Sequence, residues 1–304
     1  MLHLDDLDVK IIRELGSPSS PQWNLRESYA NISRKLGVDE ETVRLRVKRV
    51  KERGFLPAWR LMVNPNLLNL RAVTVELDVD GAEEGKEKAI SQLELVDGVT
   101  KIIDFNGKGL LVTVYSEKKD DDGELLSRRI RLIESICGSQ KLTMFESRFP
   151  RPDVRMRKID WQIVGALRED ARQDLEDVAV SLRVSARTVQ RRLSAMREGK
   201  AVYLSGAPNV GAAGGLMCCF LVFSPDRMKK RAVDHAIHSD FNRIGTLDTS
   251  PEEYSVFGRH CENLADADNV LEKLRAIDGV QNTRMHIMKK LILVQDWLWH
   301  EIDR

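Results

Sequence analysis

The sequence predicts an α+β protein that contains one structural unit twice. Each unit consists of three helices and a short β wing, followed by segments in the order strand, helix, strand, strand, helix, strand. Two repeats within the chain support this prediction. The segment 36–47 recurs at 182–193, an offset of 146 residues, and the apolar run 70–77 recurs at 216–223 with the same offset. A chain of 304 residues is also long enough for several modest domains.

Apolar periodicity locates the helices of each unit. Apolar residues at positions 4, 7, 11, 12 and 15 predict a first helix over 4–15, and a second helix is predicted over 26–36. The third helix begins after a capping residue, which is Asp39 in the first copy and Ser185 in the second. We expect its buried face to carry Val43, Val47 and Val50 in the first copy, and Val189, Leu193 and Met196 in the second. Residues 16–21 are predicted to form a loop, and residues 55–63 and 201–204 to form the wings.

The later part of each unit predicts a ferredoxin-like sandwich. Its elements are predicted at 71–79, 84–95, 99–106, 109–116, 124–136 and 140–148, and again at 215–223, 226–239, 241–249, 253–261, 264–277 and 280–288. The predicted domains are two winged helix-turn-helix domains, at 1–66 and 151–210, and two sandwiches, at 67–150 and 211–304, the last with a C-terminal helical tail. Small sheets of this kind usually pair with another copy.

Positive charge is concentrated in two stripes, although the net charge of the chain is only +1. Residues 42–60 carry seven Lys and Arg residues against one acid, Glu52. Residues 183–200 carry six against one acid, Glu198. Two basic stripes at matching positions of a repeated turn are typical of a surface that contacts phosphate.

Other functional classes find little support in the sequence. No apolar run approaches the roughly 20 residues needed to span a bilayer, and an acidic start argues against a signal peptide. The four cysteines include no C-x-x-C pair, which favours a reducing cytoplasm. Glycine-rich phosphate loops and nucleophile elbows are absent, and His235, His238, His260 and Cys261 lack the spacing of a zinc site. We therefore expect no enzyme activity, cofactor or metal.

Each half of the chain resembles the Lrp/AsnC family of bacterial and archaeal regulators. The resemblance rests on the opening pairs Leu7-Asp8 and Ile159-Asp160, on the Leu-x-Val-(Ser/Asp)-x-x-Thr-Val-x-x-Arg segments at 36 and 182, and on the entry to the last strand at 277–283. It covers nearly the whole chain, although ordinary members carry one unit. The resemblance implies a DNA-binding transcriptional regulator whose sandwiches assemble subunits and often bind an amino acid between them.

In a helix-turn-helix protein the recognition helix lies in the major groove of double-stranded DNA, and here these helices are predicted at about 39–53 and 185–198. Arg187 and Arg191 suit guanine edges and Gln190 suits adenine, whereas the threonines at the helix starts suit phosphate. Arg46 and Arg192 flank the buried side, where they would bind phosphate or pair with Asp8 and Asp160. The full set of candidate DNA contacts is Thr42, Arg44, Leu45, Lys48, Arg49, Arg60, Arg187, Thr188, Gln190, Arg191 and Ser194.

Four further interpretations remain open on the sequence. Candidate effector contacts, at the position of the family's Gly-Asp-rich turn, are Asn106, Gly107, Lys108, Ser250 and Glu252. Self-association through the sandwiches would give an intrachain pseudo-dimer or a homo-oligomer. Sirohaem decarboxylases resemble the same family, and they are expected to use His and Arg side chains around a tetrapyrrole. The last alternative is an architectural protein that binds DNA with little sequence preference.

Overall fold

The computed structural model describes residues 2–15, 27–56, 59–81, 83–118, 123–206, 208–241, 245–249, 253–294 and 296–303. The chain forms two compact units. The head unit comprises Met1–Leu67, Pro150–Gly214 and Asn242–Leu247, and so contains the helical part of both repeats. The sheet unit comprises Leu68–Phe149, Gly215–Phe241 and Asp248–Arg304, and so contains both sandwiches. The loop predicted over 16–21 lies outside the described residues.

The described elements follow the predicted order through both repeats. The helices are α1 (Asp6–Glu14), α2 (Tyr29–Leu36), α3 (Glu40–Glu52), α4 (Glu83–Leu93), α5 (Glu124–Cys137), α6 (Lys158–Leu167), α7 (Leu175–Leu182), α8 (Ala186–Glu198), α9 (Arg227–Asp240), α10 (Leu264–Arg275) and α11 (Asp296–Asp303). The strands are β1 (Trp59–Val63), β2 (Leu70–Asp78), β3 (Val99–Phe105), β4 (Gly109–Glu117), β5 (Lys141–Ser147), β6 (Val202–Gly206), β7 (Leu216–Phe223), β8 (Gly245–Thr249), β9 (Tyr254–Cys261) and β10 (Asn282–Leu293).

Local capping explains where the two recognition helices begin. The Asp39 side chain accepts a hydrogen bond from the backbone N–H of Thr42, and the Ser185 side chain accepts one from that of Thr188. Both residues occupy the N-cap, where a short polar side chain satisfies a free N–H group of the first turn. The predicted buried faces of α3 and α8 are also confirmed, since all six of their residues are buried.

The wings of the two repeats pair with each other. Strands β1 and β6 form a two-stranded antiparallel sheet in which Trp59 lies opposite Gly206 and Val63 opposite Val202. Trp59 is buried, and its carbonyl accepts a hydrogen bond from the backbone N–H of Ala171. The buried Asn64 side chain donates to two carbonyls, those of Pro150 and Lys200. The two helix-turn-helix domains are therefore joined inside one chain.

The sheet unit contains an eight-stranded sheet in the order β5-β2-β4-β3-β10-β7-β9-β8. The first four strands come from the first sandwich and the last four from the second. Antiparallel pairing of β3 with β10 joins them, with Ile103 opposite Leu291. Each half has its own apolar core under its helices, for example Val112 and Ile133 in the first half. The strands of the two sandwiches thus share one continuous sheet.

Predicted and observed element boundaries differ by only a few residues in the described part of the chain. Among those same residues, no helix is both long and apolar enough to span a membrane.

Candidate nucleic-acid interface

The outward face of α8 presents three polar side chains that have no partner among the residues that the structure describes. Arg187, Gln190 and Arg191 are exposed, and none of them forms an ion pair or a hydrogen bond with another described residue. We call these three residues the α8 reading surface. Thr188 lies at the start of the helix, where its hydroxyl is 2.9 Å from that of Ser185, and Ser194 is half-buried. Arg187, Gln190 and Arg191 thus lie on the exposed face that the spacing predicts, whereas Ser194 does so only in part, and their contact with DNA stays a prediction.

An open groove borders the α8 reading surface and separates it from the start of α7. The Arg172 side chain lines this groove together with Arg187 and Gln190. Arg172 donates to the carbonyl of Glu27 at 3.1 Å, and its guanidinium lies 5.6 Å from the centre of the Tyr29 ring. Burial lowers the pKa of Arg172 below its usual value. Arg172, which belongs to the second repeat, therefore contacts the start of α2 in the first repeat.

The outward face of α3 carries charges that are neutralised locally. Arg44 lies 3.1 Å from Glu40 and 3.6 Å from Glu41, and Lys48 lies 3.7 Å from Glu52. Leu45 is 56% exposed on the same helix. At the helix start, the Thr42 hydroxyl donates to Asp39. The basic stripe of the first copy is therefore interleaved with its own carboxylates.

Two further arginines of α3 are committed to a buried carboxylate. The Asp8 side chain is fully buried, and it is paired with both Arg46 and Arg49. Arg46 also reaches Asp5 at 2.5 Å. The pairing of Arg46 was one of its two expected roles, whereas Arg49 was expected to contact DNA and instead lies on Asp8.

In the second copy a single arginine neutralises the corresponding buried carboxylate. Arg192 donates through two nitrogens to the two oxygens of Asp160, whose side chain is fully buried. The position that corresponds to Arg49 is Ala195. The remaining candidate of the first copy, Arg60, lies on β1 at 3.7 Å from Glu169.

The candidate effector turn lies between β3 and β4. Asn106, Gly107 and Lys108 are exposed, and the backbone N–H of Asn106 donates to the carbonyl of Ile287. Gly107 and Lys108 line a small open pocket of about 210 Å³ together with Val79, Gly81, Glu83 and Lys86. The other two candidates, Ser250 and Glu252, lie outside the described residues.

A buried ion pair beside this pocket escaped the sequence analysis. The Lys86 ammonium lies 2.6 Å from Asp104, and both side chains are at most 5% exposed. It also donates to the carbonyls of Phe105 and Gly107. The repeat would not have identified this pair: Lys230 and Asp248 stand at the same 18-residue separation in the second copy, but there Lys230 pairs with Asp234.

The sheet unit also contains a polar cluster that the sequence analysis did not identify. Glu76 on β2 is buried and pairs with Arg284 and His286 on β10, at 2.8 Å and 3.0 Å. The His286 ring stacks on Phe105 with 4.5 Å between ring centres. No pattern of short-range spacing could have found this cluster, because its members are about 210 residues apart in the chain.

The histidines considered for a tetrapyrrole or a metal differ in their exposure. His235 and His238 are exposed on α9, whereas His260 is buried on β9. The described part of the chain contains no group of three or more His, Cys, Asp or Glu side chains placed to hold a metal ion.

Comparison with known proteins agrees with this architecture. The model of the AsnC-type helix-turn-helix domain matches residues 156–197, which contain α6, α7 and most of α8. A search of solved structures finds the siroheme decarboxylase NirDL, with 12% identity and a TM-score of 0.53 over 98% of this chain and 99% of that one. At this identity the likeness shows the fold, which includes the duplicated arrangement.

Curated relatives match about half of this chain and most of their own length. An uncharacterized HTH-type transcriptional regulator of Pyrococcus furiosus is 33% identical over 140 residues, which are 45% of this chain and 88% of that protein. The HTH-type transcriptional regulator Ptr1 of Methanocaldococcus jannaschii is 29% identical over 44% of this chain and 87% of its own length. The regulatory protein AsnC of Escherichia coli is 24% identical over 47% of this chain and 91% of its own length. The chain therefore belongs to the Lrp/AsnC family of HTH-type transcriptional regulators.

Proposed function

We propose that this protein is a sequence-specific DNA-binding transcriptional regulator of the cytoplasm. The observation that carries the proposal is the α8 reading surface. It consists of two arginines and a glutamine, exposed and without protein partners in the described chain, on the recognition helix of a matched helix-turn-helix domain. Such helices lie in the major groove with their N-terminal residues on base edges. Arginine forms paired hydrogen bonds with guanine, and glutamine does so with adenine.

Two of the other candidates, Thr42 and Thr188, are placed to position the protein on the DNA backbone. Thr42 and Thr188 lie at helix starts, where side-chain and backbone donors suit phosphate oxygens. Pairing of β1 with β6 joins the two helix-turn-helix domains, so both can approach the same duplex. Because the outward residues of α3 and α8 differ, we expect a binding site without twofold symmetry.

We further propose that the pocket at Gly107 and Lys108 is where a small-molecule effector would bind. Of its charged lining residues, Lys86 is paired with Asp104 and Glu83 with Lys289. Lys108 is exposed, and its ammonium group suits the carboxylate of an amino acid. Calorimetric titration with the twenty amino acids, repeated on Lys108→Ala, tests this role; binding that is unchanged in the variant would argue against it.

Selection from random duplex DNA by the purified chain tests the regulator proposal. We expect a defined motif, bound at least about 10³-fold more tightly than a scrambled duplex of equal length at physiological salt. The architectural alternative predicts a flat sequence profile with a steep loss of affinity as salt rises. Fluorescence anisotropy measures the affinity for the selected and the scrambled duplex at several salt concentrations, and so separates the regulator from the architectural alternative.

The decarboxylase alternative is supported by the fold alone, and it predicts a different observable. A tetrapyrrole enzyme would shift the absorbance band of added sirohaem and release carbon dioxide from it, which mass spectrometry of the tetrapyrrole detects. We expect neither change at protein concentrations that saturate the selected DNA. Turnover of sirohaem would overturn the assignment as a regulator without catalytic activity.

A further inference from the structure

The two recognition helices can be compared position by position. Both contain 13 residues, and they superimpose in sequence at the offset of 146. Glu41 thus corresponds to Arg187, Arg44 to Gln190, and Leu45 to Arg191. From this comparison, and resting on the proposed function, we propose that base reading is confined to α8, whereas α3 contacts only the DNA backbone.

Electrostatics at the start of α3 disfavour close approach to DNA. Glu40 and Glu41 occupy its first turn, both are exposed, and both lie beside Arg44. Exposed ion pairs of this kind are individually weak, so Arg44 could release them at little cost. The two carboxylates would then face the phosphates of the groove without a counter-charge, and this repulsion is the larger effect. The first turn of α8 contains Arg187 and no acid.

Two arginines of helix α3 are also held by the protein itself. Arg46 and Arg49 neutralise the fully buried Asp8, so withdrawing them would leave a buried charge unpaired. Among the described residues, Arg192 is the one side-chain cation that engages the buried Asp160, so Arg187 and Arg191 stay available.

Two basic residues of α3 suit a backbone role. Lys51 and Arg53 are exposed at the C-terminal end of the helix, away from the turn that meets base edges. They are placed for phosphates, which carry no sequence information directly. The first helix-turn-helix domain therefore has cations that can contribute affinity, while Glu41 and Leu45 occupy the positions of Arg187 and Arg191.

Matched substitutions in the full chain test this inference. The α8 variant is Arg187→Ala/Arg191→Ala, and the α3 variant is Glu41→Ala/Leu45→Ala at the corresponding positions. All four side chains are exposed, so folding should be retained, and circular dichroism checks it. We expect the α8 variant to lose at least about 30-fold of its preference for the selected duplex, because two paired contacts are removed. The α3 variant should change by less than about 3-fold.

A second variant tests for a gain of base reading by α3 rather than for a loss. Glu41→Arg/Leu45→Arg places arginines at the α3 positions that correspond to Arg187 and Arg191, and selection should return a second half-site beside the first. The inference is overturned if the unmodified chain already selects two half-sites and the α3 variant loses one of them. If the unmodified chain enriches no motif, the proposed function itself fails. The two failures are therefore distinguishable.

Discussion

Replacing Lys86 by methionine is expected to destabilise the sheet unit by about 3–5 kcal/mol. Methionine has a similar volume, so packing changes little. The substitution leaves the buried carboxylate of Asp104 without its counter-charge and the carbonyls of Phe105 and Gly107 without their donor. Urea unfolding followed by circular dichroism measures the loss in the free energy of unfolding. Faster amide hydrogen exchange along β3 should show that the loss of stability lies beside Asp104.

Two further variants show whether the buried charge is the cause. Lys86→Met/Asp104→Leu removes both charges and should recover part of the loss, with about 1–3 kcal/mol remaining for the unpaired carbonyls. Lys88→Met, an exposed neighbour on α4, should stay within about 0.5 kcal/mol of the unmodified chain. A double variant no more stable than Lys86→Met would show that packing, not charge, dominates here.

The second large effect is expected at Arg192. Arg192→Ala should destabilise the head unit by about 3 kcal/mol, because Asp160 is fully buried and its two oxygens lose both guanidinium donors. Its remaining hydrogen bond comes from the backbone N–H of Arg157. Thermal unfolding followed by tryptophan fluorescence, to which Trp161 on α6 contributes, measures the change.

The first copy supplies the matched control. Arg46→Ala removes the corresponding side chain, but Arg49 still neutralises Asp8 and is 43% exposed, so the cost should be only about 1 kcal/mol. Arg46→Ala/Arg49→Ala should then approach the cost of Arg192→Ala. Equal losses in Arg46→Ala and Arg192→Ala would contradict the role assigned to Arg49.

Local features of this fold were predictable from sequence because each depends on neighbouring residues. The caps at Asp39 and Ser185 and the apolar faces of α3 and α8 follow from spacings of three and four residues. The duplication was visible because its offset is nearly constant along the chain. Helix-turn-helix domains, sandwiches and the α8 reading surface could all be derived at this level.

Long-range pairings were not predictable in the same way. Nothing in the spacing of β3 and β10 indicates that they pair, or that the wings β1 and β6 meet. The sequence also did not show how many cations of α3 and of α8 are already paired within the protein. Counting Lys and Arg over 42–60 did not show that Asp8, more than 30 residues away, holds two of them.

Joining the repeats through β1–β6 and β3–β10 has a kinetic and an evolutionary consequence. Two halves on one polypeptide meet at an effective concentration set by the linker, so their association does not depend on how much protein the cell makes. Each half is also encoded separately. A substitution on α8 leaves α3 unchanged, whereas in a homodimer every substitution appears twice, so this chain can alter one half of its DNA site at a time.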